Sequence, residues 1–395
     1  MFIDSLPEVQ FTLPWELESF EERLRCLKHR RAHVAYYYER PDTSTFRYRV
    51  YNMVRTINSL AEDVSAAWFC SADFGQMHRV IEAIDVLVIC RVRYSHRVNE
   101  IITRARRKGC IVIFDVDDLV FNLDLTQHVA QTLDQDFKHP GMWDFWTAYI
   151  GRIHAAMQLC DRAIVTNDYL AEQARRLGVA DVRVIPNFLN PAQIRISRRI
   201  LEAKRVSGFA RDGRIDLGYF SGTPSHNKDF EIICDVLERL LTEDPRLRLQ
   251  IVGFLNLKGR LKNHQDRIES HSLTDFLNLQ RLIGSTEINL VPLQDNVFTQ
   301  CKSELKYFEA GIVGTMTIAS PTFCYKAAIR DGINGYLANE QEWEAKLTAA
   351  LRALDGSGTR YGVIAERAAE DSLVRYHWKS QLPAIQRALF GATNR

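Results

Sequence analysis

The chain has 395 residues, 46% hydrophobic and 25% charged, with 51 Lys and Arg against 49 Asp and Glu. That length exceeds what one core usually serves, and the composition is that of a packed globular protein, which sets disorder aside. A net charge of +2 gives no nucleic-acid footprint, and no apolar run approaches the roughly 20 residues of a membrane helix.

Residues 2–9 already carry Asp4, Pro7 and Glu8, unlike a signal peptide. The eight cysteines never fall in a CxxC pair, which points to free thiols in a reducing cytoplasm and away from a zinc site. Residues 1–32 read as an N-terminal helical extension, with Leu17, Phe20, Leu24 and Leu27 on one face. From His33 onward, strands are predicted at 33–38, 66–70, 86–90, 111–114, 163–166 and 182–185. Helices are predicted between them, near 51–60, 74–84, 95–108, 142–160 and 169–177. Short β-branched runs between longer helices specify a parallel sheet covered on both faces. Residues 33–190 thus form a Rossmann-like, doubly wound α/β domain.

The rhythm then stops, and residues 191–212 read as a basic linker with six Arg or Lys against two acids. It restarts with strands at 216–220, 247–252, 287–291, 314–319 and 336–337 and helices at 228–241 and 301–311. A second Rossmann-like domain therefore spans 213–360, and helices over 361–395 follow, with a return to the first domain as one option. Two such domains face each other across a cleft, and ligands bind at the carboxyl ends of their strands.

The first strand of the second domain runs into GTPSHNKD, residues 222–229. Gly222 permits close backbone approach. Thr223 adds a hydroxyl, with His226 beside it, and Lys228 adds a charge at a helix N-terminus, an assembly suited to an anion. The plainer reading is a turn capped by Ser225 or Asn227 with Lys228 solvated.

In CKSELKYFEAG, residues 301–311, Leu305 and Phe308 point to the core. Lys306 and Glu309 share a neighbouring stripe, Lys302 lies at the first turn, and Ser303 is the predicted N-cap. A surface Lys306–Glu309 pair is the alternative, worth a few tenths of a kcal/mol.

In the first domain, IVIFDVDDL ends a strand with Asp115, Asp117 and Asp118. Crowded carboxylates raise at least one pKa, which suits a general base. Arg47 and Arg49 follow the first strand, and Arg91 and Arg93 follow the third. They can hold anionic groups or simply sit on the surface. Asn187 ends the last strand and reads as part of the hinge.

The order of elements over 216–354 resembles the donor-binding half of GT-B glycosyltransferases, closest to glycosyltransferase family four (glycosyl transferases group 1). It has the Gly-rich strand end, the helix bearing Lys306 and Glu309, a small-residue strand and DGING at 331–335. The resemblance implies that Glu309, matching the last glutamate of an E-x7-E pattern, binds the nucleotide ribose. The first glutamate falls on Cys301, so contact with the sugar passes to Lys302, Glu304 or Lys306. Gly222, Thr223, His226, Lys228, Lys302 and Lys306 then form the donor site. Asp117 and Asp118 take the catalytic role, and Arg47, Arg49, Arg91 and Arg93 face the acceptor. The implied substrate is a nucleotide diphosphate-sugar, with no cofactor and no metal. The implied acceptor is a glycan or lipid-linked glycan of bacterial surface polysaccharide (O-antigen or capsule). The implied setting is cytoplasmic, with peripheral membrane association and no nucleic acid.

Residues 111–119 also resemble the nucleophile motif of haloacid-dehalogenase phosphatases, although Asp118 and Leu119 replace its Gly-Thr. On that alternative, a magnesium-dependent phosphohydrolase uses Asp115 as nucleophile and Asp117 as acid. A non-catalytic sugar-nucleotide-binding subunit is a further alternative.

Overall fold

The structure, a computed structural model, describes residues 7–28, 30–135, 138–209, 213–222, 227–255, 259–355 and 359–391. Strands β1 (Ala32–Tyr38), β2 (Val64–Cys70), β3 (Val86–Cys90), β4 (Ile111–Val116), β5 (Arg162–Val165) and β6 (Val182–Val184) form one parallel sheet, ordered β2-β1-β3-β4-β5-β6. Strands β7 (Ile215–Phe220), β8 (Leu247–Val252), β9 (Ile268–His271), β10 (Ile288–Val291), β11 (Met316–Ala319) and β12 (Tyr336–Leu337) form the second, ordered β12-β11-β10-β7-β8-β9. Every residue of β2, β3, β7 and β10 is buried, which is why they are mostly apolar on both faces, β3 (VLVIC) throughout, rather than alternating. Strand order reverses between β1 and β3 in the first sheet and between β7 and β10 in the second. These two switch points place the ligand crevice. The fold is GT-B: two Rossmann-like domains with their strand ends turned to a shared cleft.

Three segments depart from the sequence reading. Residues 191–206, between the two sheets, are not irregular chain but the helix Pro191–Val206, opened by an Asn190–Gln193 capping box. Its buried stripe of Ile194, Ser197, Ile200, Leu201 and Lys204 lies hidden among arginines on the outer face. Lys204 itself is buried because its amine donates to the Thr286 and Gly314 carbonyls and to Thr315 Oγ1 at 3.2, 3.1 and 2.8 Å. Strand β9 has no apolar run to announce it, since IESH is a half-exposed edge. In the N-terminal extension Leu17 is 70% exposed, and Trp15 takes its place, packed on Phe46 and Tyr51.

The two domains are stitched together at several points. Residues 7–13 reach the second domain, where the Val9 N–H and C=O both pair with the Asn278 amide at 2.9 Å. At the other end, helix Thr359–Arg375 packs on the second domain, and helix Trp378–Phe390 places Ile385, Ala388 and Leu389 in the core of the first. Among the described residues no helix is long and apolar enough to cross a membrane.

Candidate active site

The segment after β1 is not an open loop. Asp42 accepts hydrogen bonds from the Tyr38 hydroxyl and from the Ser44 and Phe46 amides, and this closes the turn. The chain then enters a π-helical turn, Arg47–Tyr51, in which all five residues are buried. Such wide turns concentrate at functional sites. Here the turn drives Arg49 into the sheet, where its Nε and Nη2 hold the Asp115 oxygens at 2.8 and 2.9 Å and its Nη1 reaches the Ile185 carbonyl at 2.7 Å. Burial pushes the Asp115 carboxyl up, and Arg49 opposes that shift. The same turn sends Arg47 and Tyr48 across the cleft to Glu309. Arg47 and Arg49 therefore do not offer free guanidinium groups to an acceptor, contrary to the sequence expectation. Nor is Asp115 open to attack a phosphorus, because it is 1% exposed and both its oxygens are occupied.

The open part of the cluster lies one step further out. Arg91, in a left-handed backbone conformation (φ 47°) just after β3, donates its amide to the Asp115 carbonyl at 2.7 Å. Its Nη1 lies 2.8 Å from Asp117, 3.0 Å from Asp118 and 3.2 Å from the Thr45 hydroxyl, which in turn donates to Asp117 at 2.7 Å. From the second domain Lys302 approaches Asp118 at 3.6 Å. These side chains are 15–25% exposed, so they are held firmly yet reachable from the cleft. Arg93 stands beside them in a two-pronged pair with Glu39, its Nε at 2.9 Å and its Nη2 at 2.5 Å.

On the donor side, Gly222 ends β7, whereas Thr223 and His226 lie outside the described residues. Lys228, 40% exposed, donates to the Gln131 carbonyl of the first domain at 2.7 Å and lies 4.0 Å from Asp134. The 301–311 stretch is not one helix. Helix Val297–Gln300 ends at Cys301, a turn follows, and helix Leu305–Gly311 begins after Glu304. Ser303 caps nothing, since its hydroxyl accepts from Asn187 across the domain boundary at 3.0 Å. Lys302 thus projects from a turn and not from the stripe of Lys306. Lys306 is half-buried with its amine 5.3 Å from the Tyr219 ring centre. Burial lowers its pKa to about 8, against the pull of Asp229. Glu304 accepts from the Tyr376 hydroxyl at 2.7 Å, which gives it a role the sequence left open.

Glu309 is buried, and its Oε1 accepts from Arg47 at 3.1 Å, from Gln193 at 3.3 Å and from the Tyr48 hydroxyl. Sequence reasoning missed Thr45, Tyr48 and Gln193. Only Gln193 carried a signal, the helix-opening Asn-Pro-Ala-Gln of its capping box.

Residues 214–355 match the family model described as Glycosyl transferases group 1. No curated protein sequence matches the chain. Among solved structures, Alr3699/HepE from Anabaena, in complex with UDP and glucose, aligns with a TM-score of 0.60 at 12% identity, covering 91% of this chain and 99% of that one. Sucrose-phosphate synthase from Thermosynechococcus elongatus aligns at 0.57 and 14% identity, covering 90% and 97%. A TarM mutant from S. aureus, in complex with Fondaparinux, alpha-GlcNAc-glycerol and UDP, aligns at 0.52 and 14% identity, covering 77% of this chain and 55% of that one.

Proposed function

From a GT-B fold whose residues 214–355 match the glycosyl transferases group 1 model, we propose that this chain transfers a sugar from a nucleotide diphosphate-sugar to a glycan or lipid-linked glycan in bacterial surface polysaccharide assembly. The observation that carries the reading is the meeting of two strand-end clusters across the cleft. Arg91 follows β3 at the switch point of one sheet and holds Asp117 and Asp118 from the end of the neighbouring β4, and Lys302, Lys306 and Glu309 follow β10 at the switch point of the other. Because structural neighbours were solved with UDP, a uridine nucleotide is the first donor to test.

In this reading Lys302 and Lys306 meet the charge that grows on the departing diphosphate, and Lys228 joins them once it leaves Gln131. Asp117 or Asp118 takes the acceptor hydroxyl proton, and Arg91 fixes both carboxylates in place beforehand. Glu309 offers its second oxygen to the ribose. Phosphate charge is assigned to lysines and to the N-terminal end of helix Asn227–Glu243, not to a metal. Lipid-linked acceptors would bring the protein to the inner face of the membrane as a peripheral enzyme.

The test is a thermal-shift titration with UDP, GDP, dTDP and CMP, followed by sugar-transfer assays with the nucleotide that binds. At about 100 times Kd the bound nucleotide stabilises by about 2.7 kcal/mol. Binding without any transfer would leave a sugar-nucleotide-binding subunit, and no stabilisation by any of the four would overturn the donor assignment.

A further inference from the structure

We infer that helix Pro140–Gln158 carries an acceptor subsite, a rigid aromatic platform on which the sugar rings of a glycan stack as they lead away from the Arg91–Asp117 cluster. The inference rests on the glycosyltransferase reading and adds where the acceptor lies.

The helix opens PGMWDFWTAY, and four of its aromatic side chains fall within two turns. Phe145 is 54% exposed and Tyr149, one turn on along the same face, is half-buried, whereas most other large aromatic side chains of this domain lie in its core. Phe145 and Tyr149 share one face and touch ring to ring, which makes them a patch rather than scattered apolar residues. The rings are also ordered relative to one another. Phe145 and Tyr149, one turn apart, lie nearly parallel, at 17° with centroids 6.1 Å apart. Trp146 stands edge-on to both, at 5.8 and 5.6 Å, and packs against the domain core, so the pair is braced from below.

The platform is continuous with the candidate active site. The Arg93 guanidinium lies 5.8 Å from the Tyr149 ring centre, and Arg93 follows Arg91 by two residues in the loop after β3. Helix and β3 loop are tied directly, because the Tyr94 amide donates to the Arg152 carbonyl at 2.8 Å and Arg152 Nε donates to the Tyr94 carbonyl at 2.7 Å. The aromatic faces therefore hold a fixed position relative to Asp117.

Charge favours a glycan over a bilayer. A membrane-binding face combines apolar rings with a basic rim. Here the nearby Arg93 is neutralised by Glu39, and Asp144 lies between Trp143 and Phe145. A sugar ring is uncharged, and its C–H face carries the weak positive charge that suits the negative face of an aromatic ring. Braced rings lose little side-chain freedom on binding.

The test is saturation-transfer NMR on the full chain with tri- to pentasaccharides of glucose, N-acetylglucosamine, rhamnose and mannose, beside a calorimetric UDP titration. Wild type is expected to bind at least one oligosaccharide. Phe145→Ala and Tyr149→Ala are expected to weaken that binding about tenfold or more, Phe145→Trp to retain it, and all three to keep the wild-type UDP affinity. An oligosaccharide bound equally by wild type and both alanine variants overturns the subsite, as does a panel in which none binds. Phe145-dependent sedimentation with phosphatidylglycerol vesicles, without Phe145-dependent oligosaccharide binding, reassigns the patch to the membrane and overturns it too. Loss of UDP binding by wild type would instead strike the donor reading and leave the oligosaccharide result standing.

Discussion

Arg47 of the first domain and Glu309 of the second form a buried ion pair across the cleft, with Arg47 Nη2 and Glu309 Oε1 at 3.1 Å. The guanidinium lies against the Tyr48 and Phe276 rings, at 4.1 and 5.2 Å, and its Nε and Nη1 have no hydrogen-bond partner among the described residues. A buried cation so sparsely satisfied depends on its one carboxylate. Glu309 is thus a contact that joins the domains, whatever it also does for a nucleotide.

Glu309→Gln should therefore act on stability as well as binding. Removing one partner of a buried pair costs about 3–5 kcal/mol, because the remaining charge stays desolvated. Arg47→Met combined with Glu309→Gln should recover much of that loss, since the stranded charge is gone. Denaturant unfolding of the two variants checks this, and an unchanged midpoint for Glu309→Gln would remove the domain-joining role. Nucleotide affinity, measured separately, should fall by the about 1.5–3 kcal/mol of a hydrogen bond to a charged group.

The three clustered aspartates should separate by environment. Asp115→Ala leaves Arg49 buried without a counter-ion and is expected to destabilise by about 3–5 kcal/mol. Asp117→Asn and Asp118→Asn keep their size, are partly exposed and each leave Arg91 one carboxylate, so each should destabilise less than Asp115→Ala. Loss of a general base would cost transfer about 10²- to 10⁴-fold in one of them. Wild-type transfer by both would sink the proposed base and leave the donor site untouched.

The strands were legible because residues such as Val86–Cys90, buried on both faces, leave continuous apolar runs. The ends of those strands were legible for the same reason, and they gave Asp117, Asp118 and Arg91. What sequence could not show was which polar residues turn inward. Arg47 and Arg49 look like surface residues until a π-helical turn buries them, and Lys204 looks like a linker charge until three acceptors surround it. Both depend on partners far away in the chain. Glu309 was singled out from its motif, but its partners Tyr48 and Gln193 belong to other elements and share no pattern with it.

Lys306 predicts a pH dependence with a definite sign. Its folded-state pKa of about 8 lies below its ordinary value of 10.5, so between those values the unfolded chain binds more protons. Stability of the free protein should therefore rise with pH from about 8 towards 10.5, and the penalty is full below about 8. Nucleotide diphosphate binding should run the other way, strongest where the amine is charged and weakening as pH rises through that value. Lys306→Met should flatten both profiles, removing the stability penalty at neutral pH while impairing turnover. Parallel unfolding and calorimetry over this pH range checks it, and a wild-type nucleotide affinity that rises with pH would place Lys306 away from the diphosphate.

Chelation and the cleft lysines test how the leaving diphosphate is stabilised. If Lys302 and Lys306 meet that charge, sugar transfer should survive EDTA, and Lys302→Ala should lower kcat more than it raises the KM for donor, because the charge grows towards the transition state. Lys302 also faces Asp118 at 3.6 Å, so its removal takes one cation from that carboxylate and should shift the pH profile of transfer as well as its rate. Lys228→Ala should have the smaller effect, since Lys228 is engaged with Gln131 and must break that hydrogen bond to reach a phosphate. Transfer and phosphate release would be followed in the same preparations, with and without chelator. EDTA-sensitive transfer would move the charge stabilisation from the lysines to a metal. Phosphate release without transfer to any glycan would overturn the glycosyltransferase reading, even though the buried Arg49–Asp115 pair argues against the Asp115 nucleophile that a phosphohydrolase of this type would need.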